Sequence, residues 1–285
     1  MRVLITGISG FVGNKLREEC EKKGWDVRGL SRSQVEGKEE VDSLFLQKLD
    51  VLVHLAGEPI QGLWTKQKKE KIYISRIVYT EKVLDFLRKQ NSFPHSILSA
   101  SALGYYGDQK EREVRKEEEQ AFYPGFLPLV CRKWEQMLFS YPFSYQPRLI
   151  ALRFGMVLSP LGGLMGLWLG LARYKLLSVL GSGLQWMSWI SLEDACRAII
   201  HLIKENSITG AVHIATAHPI EQRRFIKRLA SFTKSKHYYT IPSLLLYLGG
   251  EQVRELGCAS IKAYPYKLEC SSFPFLHPYL QDLII

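Results

Sequence analysis

Through its first two thirds the chain alternates between two hydrophobic rhythms. Short apolar runs at Val3–Ile5, Trp25–Leu30, Val51–Leu55, Ser96–Ala100 and Leu149–Phe154 read as strands. Between them, apolar residues recur every three or four positions, the spacing of one helix face. Val12, Leu16 and Cys20 share such a face, while Lys15, Arg17, Glu18 and Glu19 fall elsewhere. Tyr79, Val83, Phe86 and Leu87 line one side of a long helix, and further helices fit Val130–Phe139 and Leu192–Ile203. Strands separated by helices of this length predict an α/β fold, a Rossmann-type doubly wound parallel sheet with right-handed crossovers. Such a sheet binds its ligand outside the C-terminal ends of its strands, where the strand order reverses.

The first strand runs into glycines at 7, 10 and 13 and then into the first helix. A strand, a tight glycine turn and a helix start together form a pyrophosphate cradle. The first amides of a helix have no intrahelical acceptor and carry partial positive charge, so they attract an anion. Gly7 permits the turn, Gly10 lets phosphates approach the backbone, and Gly13 lets the helix pack close to the strand. The cradle residues are therefore Gly7, Gly10, Phe11, Val12 and Gly13. The alternative is a purely structural glycine turn; the position directly after a strand favours the cradle.

The end of the second strand bears on which dinucleotide is held. A site for NAD usually places a carboxylate there, on the ribose 2′-hydroxyl. Here the strand ends Gly29-Leu30-Ser31-Arg32-Ser33, a cation flanked by hydroxyls. Guanidinium and hydroxyl donors suit a 2′-phosphate, so Ser31 and Arg32 point to NADP(H) as the preferred cofactor, with NAD(H) the alternative. From about Gly155 the alternation loosens and Gly162-Gly163, Gly181, Gly183, Pro242, Pro265, Pro274 and Pro278 punctuate the chain. The expected organisation is an NADP-binding Rossmann domain at 1–155, to which elements around 186–215 return. A smaller, interleaved C-terminal substrate-side region occupies 156–285.

Composition changes this picture little. With 285 residues, 46% of them hydrophobic, the chain has enough apolar material for a sizeable core. The most membrane-like run, Leu161–Ala172, is too short to span a bilayer at ~20 residues. Cys20, Cys131, Cys196, Cys258 and Cys270 are scattered, without metal-ligand spacing, and read as reduced, mostly buried thiols. With a strand at its very start, the chain is expected to lack a secretory signal, to be cytoplasmic and to hold no metal. The formal charge of +10 has two readings. Clusters such as Lys66, Lys68, Lys69 and Lys71, or Arg223, Arg224, Lys227 and Arg228, could meet a nucleic acid or a membrane. No nucleic-acid module accompanies them, and generic surface charge that also attracts an anionic cofactor or substrate is the expectation.

Longer blocks carry a resemblance. Thr6-Gly7-x-x-Gly10-Phe11-x-Gly13 resembles the fingerprint of extended short-chain dehydrogenases/reductases, the NAD-dependent epimerase/dehydratase superfamily. His54-Leu55-Ala56-Gly57-Glu58-Pro59-Ile60 is followed by Trp64-Thr65, Ile74-Ser75-Arg76 and then Ser99-Ala100-Ser101-Ala102-Leu103-Gly104-Tyr105-Tyr106-Gly107. Trp134-Glu135, Arg153-Phe154-Gly155 and Gly181-Ser182-Gly183-Leu184-Gln185-Trp186 complete the series. In this order the blocks resemble the atypical group called "epimerase family protein", including its small C-terminal domain of unknown function. The resemblance implies an oxidoreductase or epimerase acting on a small, sugar-like or anionic substrate. It also implies that Leu55, Ala56 and Gly57 line the cofactor.

The superfamily's proton chemistry uses a serine and a Tyr-x-x-x-Lys pair on one helix face. Counting back from Glu135, which resembles the glutamate eight residues after that tyrosine, puts Leu127 and Cys131 in the two positions. Leucine transfers no proton. The remaining candidates are Ser101, Tyr105 and Tyr106 for catalysis, with Glu58 and Arg153 on the substrate side. Each has a bland alternative: Ser101 bonding backbone, the tyrosines packing the core, Glu58 capping a segment, Arg153 pairing with a buried acid. Trp186 and Trp189 either line a pocket or seal the two domains. Where relatives tend to read Trp-Ile-His, this chain has Trp189-Ile190-Ser191. Two functions follow: a cofactor-dependent enzyme with a non-standard site, or an NADP(H)-binding regulatory or interaction protein without turnover. No nucleic-acid or membrane partner is expected, and the oligomeric state is open.

Overall fold

All five apolar runs form strands, and a sixth joins them. The computed structural model describes residues 1–119, 123–235 and 238–283. Its central sheet contains β1 (Arg2–Thr6), β2 (Asp26–Leu30), β3 (Val51–His54), β4 (Ser96–Ala102), β5 (Arg148–Phe154) and β6 (Gly210–Ile214). The spatial order is β6-β5-β4-β3-β1-β2, and the β1–β2, β1–β3 and β3–β4 ladders run parallel. Val3, Leu4, Ile5 and the four residues of β3 are all buried, as strands covered on both faces must be. In this order the reversal point lies between β1 and β3, so the carboxyl ends of those two strands mark the expected ligand crevice.

Two compact units divide the chain. The first comprises Met1–Ser101, Val130–Leu152 and Cys196–Val212. It contains α1 (Phe11–Glu21) and α2 (Lys66–Lys89), most of α3 (Phe126–Ser140), and the greater part of α4 (Leu192–Lys204). Its core gathers Leu52, Tyr79, Val83, Ile97, Leu138 and Ala151 from sheet and helices. Thr65 starts α2 by accepting the amide of Lys68, while Arg88 and Lys89 lie in its last turn, where cations oppose the helix dipole.

The second unit comprises Ala102–Leu129, Arg153–Ala195 and the chain from His213 onward. Its larger core includes Leu158, Val179, Trp189, Phe225 and Leu229. A smaller cluster joins Leu103, Tyr106, Val114, Ala215 and Ala263. Two-residue strands Glu113–Val114 and Lys262–Ala263 pair in parallel. These contacts explain a difference from the sequence reading. Residues 102–129 lie inside the expected 1–155 segment, yet they pack with the C-terminal part, because their buried partners come from 215 and 263. Similarly, only Cys196–Val212 of the expected 186–215 stretch belongs to the first unit; Trp189 is buried in the second.

Among the described residues no helix is long and apolar enough to cross a membrane. Cys20, Cys131 and Cys196 are buried as expected, whereas Cys258 is half-buried and Cys270 exposed.

Candidate functional site

At the reversal point the glycine turn is built on backbone-to-backbone contact. Gly7 has φ +70°, and a Cβ there would lie 2.9 Å from the amide nitrogen of Ala56. A Cβ on Gly13 would lie 2.2 Å from the Gly7 carbonyl oxygen, so only glycine lets α1 approach this closely. The Gly10 amide bonds the Gly7 carbonyl and the Asn14 amide bonds the Gly10 carbonyl, each at 2.9 Å. The amides of Phe11, Val12 and Gly13 precede the first bonds within the helix. No side chain caps this helix start and no acid stands in its first turn. An anion is the natural partner of such an arrangement.

Four residues to which the sequence reading gave no role of their own, Thr6, His54, Thr80 and Trp134, hold this turn against β3. Ala56 donates its amide to Thr6 Oγ1 at 3.2 Å, and Thr6 Oγ1 lies 2.7 Å from His54 Nδ1. His54 Nε2 is 2.9 Å from Thr80 Oγ1, which also accepts from Trp134 Nε1 at 2.9 Å. Thr80 donates to the Arg76 carbonyl, so its oxygen has only acceptor capacity left for His54. The proton of His54 is thereby assigned to Nε2, and Thr6 donates to Nδ1. Burial lowers the His54 pKa to about 4, which keeps the ring neutral. The signal in the sequence was a histidine ending a fully apolar strand.

At the end of β2, Ser31 caps the short helix Arg32–Val35, accepting the Gln34 amide at 3.1 Å in a capping box. Its hydroxyl is also 3.2 Å from Glu39. The Arg32 guanidinium is exposed and lies 5.5 Å from the Tyr79 ring centroid. Leu55, Ala56 and Gly57 follow β3 at the same edge, Leu55 bonded through its amide to the Thr6 carbonyl at 3.2 Å.

Glu58, expected on the substrate side, is half-buried and forms a 2.7 Å ion pair with Lys68. That bond holds its carboxyl below the usual range and weakens it as a base. Ser101 is buried, and its hydroxyl donates to Glu135 at 2.6 Å. The partner is thus a carboxylate side chain and not backbone.

The second unit brings Tyr105, Tyr106 and Arg153 together, but not as three open groups. Tyr106 is fully buried, correcting the expectation that its phenol faces a ligand. His213 Nδ1 must donate to the Tyr264 carbonyl at 2.7 Å, so its Nε2 accepts from the Tyr106 hydroxyl at 2.6 Å. The Tyr106 oxygen in turn accepts from Arg153 Nη1 at 2.5 Å, and the same nitrogen donates to the Glu117 carbonyl at 2.8 Å. Arg153 is 4% exposed, which corrects its reading as a clamp open to a soluble anion. Burial lowers the His213 pKa to about 4 and raises that of Glu117. Tyr105 alone of the three is half-buried, with the Arg153 guanidinium 3.7 Å from its ring centroid. Trp189 is buried in the core of the second unit and donates to the His218 carbonyl. Ser191 accepts the Asp194 amide at 2.9 Å at the start of α4.

Comparison with known proteins bears on what this site does. The family model described as NAD dependent epimerase/dehydratase family matches residues 3–215. Epimerase family protein YfhF of Bacillus subtilis is 29% identical over 296 residues, covering 99% of this chain and 96% of that protein. Epimerase family protein SSP1921 of Staphylococcus saprophyticus is 28% identical over 295 residues, covering 99% and 98%. Among solved structures, the human epimerase family protein SDR39U1 with NADPH superposes with a TM-score of 0.86 at 22% identity, over 100% of this chain and 98% of that one. A nucleoside-diphosphate sugar epimerase from Corynebacterium glutamicum gives a TM-score of 0.77 at 27% identity, over 100% of this chain and 57% of that one.

Proposed function

The chain belongs to the NAD-dependent epimerase/dehydratase family, and on that premise we propose that it binds NADP(H) and acts as an oxidoreductase or epimerase on a small anionic or sugar-like substrate. The observation that carries this reading is the glycine cradle. Its uncapped amides at Phe11, Val12 and Gly13, and its crowding at Gly7 and Gly13, leave a backbone surface fit for a pyrophosphate. The human SDR39U1 structure holds NADPH, and the Corynebacterium glutamicum neighbour is named for nucleoside-diphosphate sugars, which supports the cofactor and the substrate class.

Bound nicotinamide supplies a centre that gives or takes hydride. The chain's part is to hold the dinucleotide and to move a proton. Leu55, Ala56 and Gly57 form the wall beside the cradle, positioned by the Thr6–His54–Thr80 bonds. Ser31 offers a hydroxyl and Arg32 a cation to the 2′-phosphate. Leu127 and Cys131 stand where the family's tyrosine and lysine are expected, so another group must exchange the proton. We assign this to Tyr105, the half-buried phenol stacked on a fixed cation. Ser101, held by Glu135, is the substrate-orienting hydroxyl; Tyr106 and Arg153 act through Tyr105 by fixing its surroundings.

Titration of the purified protein with NADPH and NADH, read by tryptophan fluorescence and melting temperature, tests the first step. Failure of both coenzymes to shift either signal sinks the reading. Arg32→Ala is expected to weaken NADPH about tenfold while leaving NADH within twofold, from loss of charge-assisted bonds to the 2′-phosphate. Equal losses would refute the 2′-phosphate assignment. Tyr105→Phe is expected to lower stereospecific hydride exchange at least about 100-fold, the scale of general acid catalysis, with cofactor affinity unchanged. Coenzyme binding without exchange across a broad substrate panel would leave a regulatory binding protein in place of an enzyme.

A further inference from the structure

In the second unit, α5 (Gln222–Phe232) has two faces of opposite chemistry. Phe225, Ile226, Leu229 and Ala230 are buried in the core. Arg224, Lys227, Arg228 and Ser231 recur three or four residues apart on the other side and are exposed. Along this stripe lies a cavity of about 550 Å³, lined by the stripe together with Phe232, Leu280 and Gln281. A volume of this size suits a small organic molecule. The cavity also carries more positive charge than the fold neutralises. Arg224 pairs with Glu221 at 3.0 Å, an exposed pair that solvent weakens. Arg228 donates to Gln281 Oε1 at 3.1 Å, a neutral partner. Among the described residues no carboxylate pairs with Lys227 or Arg228. Asp282, beside Gln281, accepts the Tyr279 amide at 2.8 Å.

An anion that meets all three cations must be extended. Arg224 and Arg228 are about 6 Å apart along the helix axis, at 1.5 Å per residue. A single phosphate reaches one or two of them, whereas two or three linked phosphates reach the whole row. Charge is only half of the lining, however. Phe232 follows Arg228 by about 6 Å along the same axis and is 41% exposed, while Leu280 is buried at the cavity wall. Ser231 spends its proton on the Lys227 carbonyl at 3.1 Å, so the side-chain donors of the stripe are the cations alone. An open aromatic ring at the end of a cationic row matches a flat heteroaromatic group joined to its own phosphates. An acidic protein segment would use the charges and leave the ring idle.

We propose that this cavity binds a nucleoside di- or triphosphate, with its phosphates on Arg224, Lys227 and Arg228 and its base on Phe232. None of the residues given to cofactor or substrate lines it, so the site is additional to the proposed function. The test uses the full chain in saturating NADPH, which fills the glycine cradle, and titrates it with fluorescent N-methylanthraniloyl-ADP. Wild type is expected to bind the probe. The double variant Lys227→Ala, Arg228→Ala is expected to bind it about tenfold or more weakly, with melting temperature and NADPH affinity unchanged, because both side chains are exposed. Phe232→Ala is expected to weaken the probe several-fold and to leave inorganic triphosphate within twofold. Arg32→Ala, in the other unit, is expected to leave the probe within twofold. Absence of probe binding in wild type would overturn the proposal, and so would equal affinity in wild type and the double variant, which would place the nucleotide elsewhere. Inorganic triphosphate bound as tightly as ADP would reduce the cavity to general attraction for anions and overturn it too. An octaglutamate peptide that displaces the probe at lower concentration than ADP does would give the groove to an acidic protein segment instead.

Discussion

Gly13→Ala is expected to abolish dinucleotide binding and to lower stability by about 3 kcal/mol, at the upper end of the usual cost of overpacking. The new methyl would stand 2.2 Å from the Gly7 carbonyl oxygen, 2.9 Å from its carbon and 3.0 Å from Ile8 Cα. All three are backbone atoms, so no flexible side-chain end can yield. Nor can Gly7 retreat, since its own Cβ position already crowds Ala56 and Leu55. Relief requires α1 to move away from β1, which turns the amides of Phe11, Val12 and Gly13 from the position a pyrophosphate occupies. Gly10→Ala is the matched control: its closest contact is 3.1 Å, again to the Gly7 carbonyl, and its effect on stability should be smaller. Thermal melts and NADPH titrations of the two variants check the order. A Gly13→Ala protein binding NADPH within threefold of wild type would remove the cradle from the account.

Acidification from pH 6.5 toward 4 is expected to unfold the protein, through two buried histidines. His54 and His213 each have a pKa of about 4 when folded, against the ordinary value of 6.5. Both rings are neutral in the fold, and both nitrogens of each are committed. The unfolded chain therefore binds protons that the folded chain refuses as pH falls below 6.5. Stability from this source is fully present above 6.5 and drains away down to about 4. At ~1.4 kcal/mol per pKa unit, each histidine contributes roughly 3 kcal/mol, and the pair is comparable to the whole stability of an ordinary domain. Melting temperature against pH reads this directly. His213→Gln should reduce proton uptake on unfolding near pH 5 by about one. A wild-type melting temperature that stays flat between pH 6.5 and 5 would show that neither ring is buried neutral.

The strands and helices were legible because each satisfies its own periodicity. Val51–His54 reads as a strand from its apolar run, and Val12, Leu16 and Cys20 declare a helix face without help from elsewhere. Where the reading fell short, the missing partner was distant. Val130–Phe139 marks only part of α3, which begins at Phe126. Glu255, 129 and 128 positions away, accepts the Phe126 and Leu127 amides at 2.7 Å each and serves as the helix's cap. No window around residue 126 contains that information. Ser101 shows the same limit: its hydroxyl suggested catalysis, but only the fold supplies Glu135 as its acceptor. Glu58 kept its place beside Ala56 and Gly57, while its basicity was decided by Lys68.

By itself, then, the sequence determined the alternating α/β order, the glycine turn directly after β1, the cation at the end of β2 and the presence of Leu127 and Cys131 where the resemblance places the tyrosine and lysine of the Tyr-x-x-x-Lys pair. These are local properties, set by which residues neighbour one another along the chain. Tertiary structure alone decided that Tyr106 and Arg153 are buried, that His54 stays neutral, that residues 102–129 pack with the C-terminal part, and that the Arg76 guanidinium packs against Gly57. Burial, protonation and charge pairing depend on groups brought close from tens to more than a hundred residues away, and a linear pattern does not encode which of them arrive.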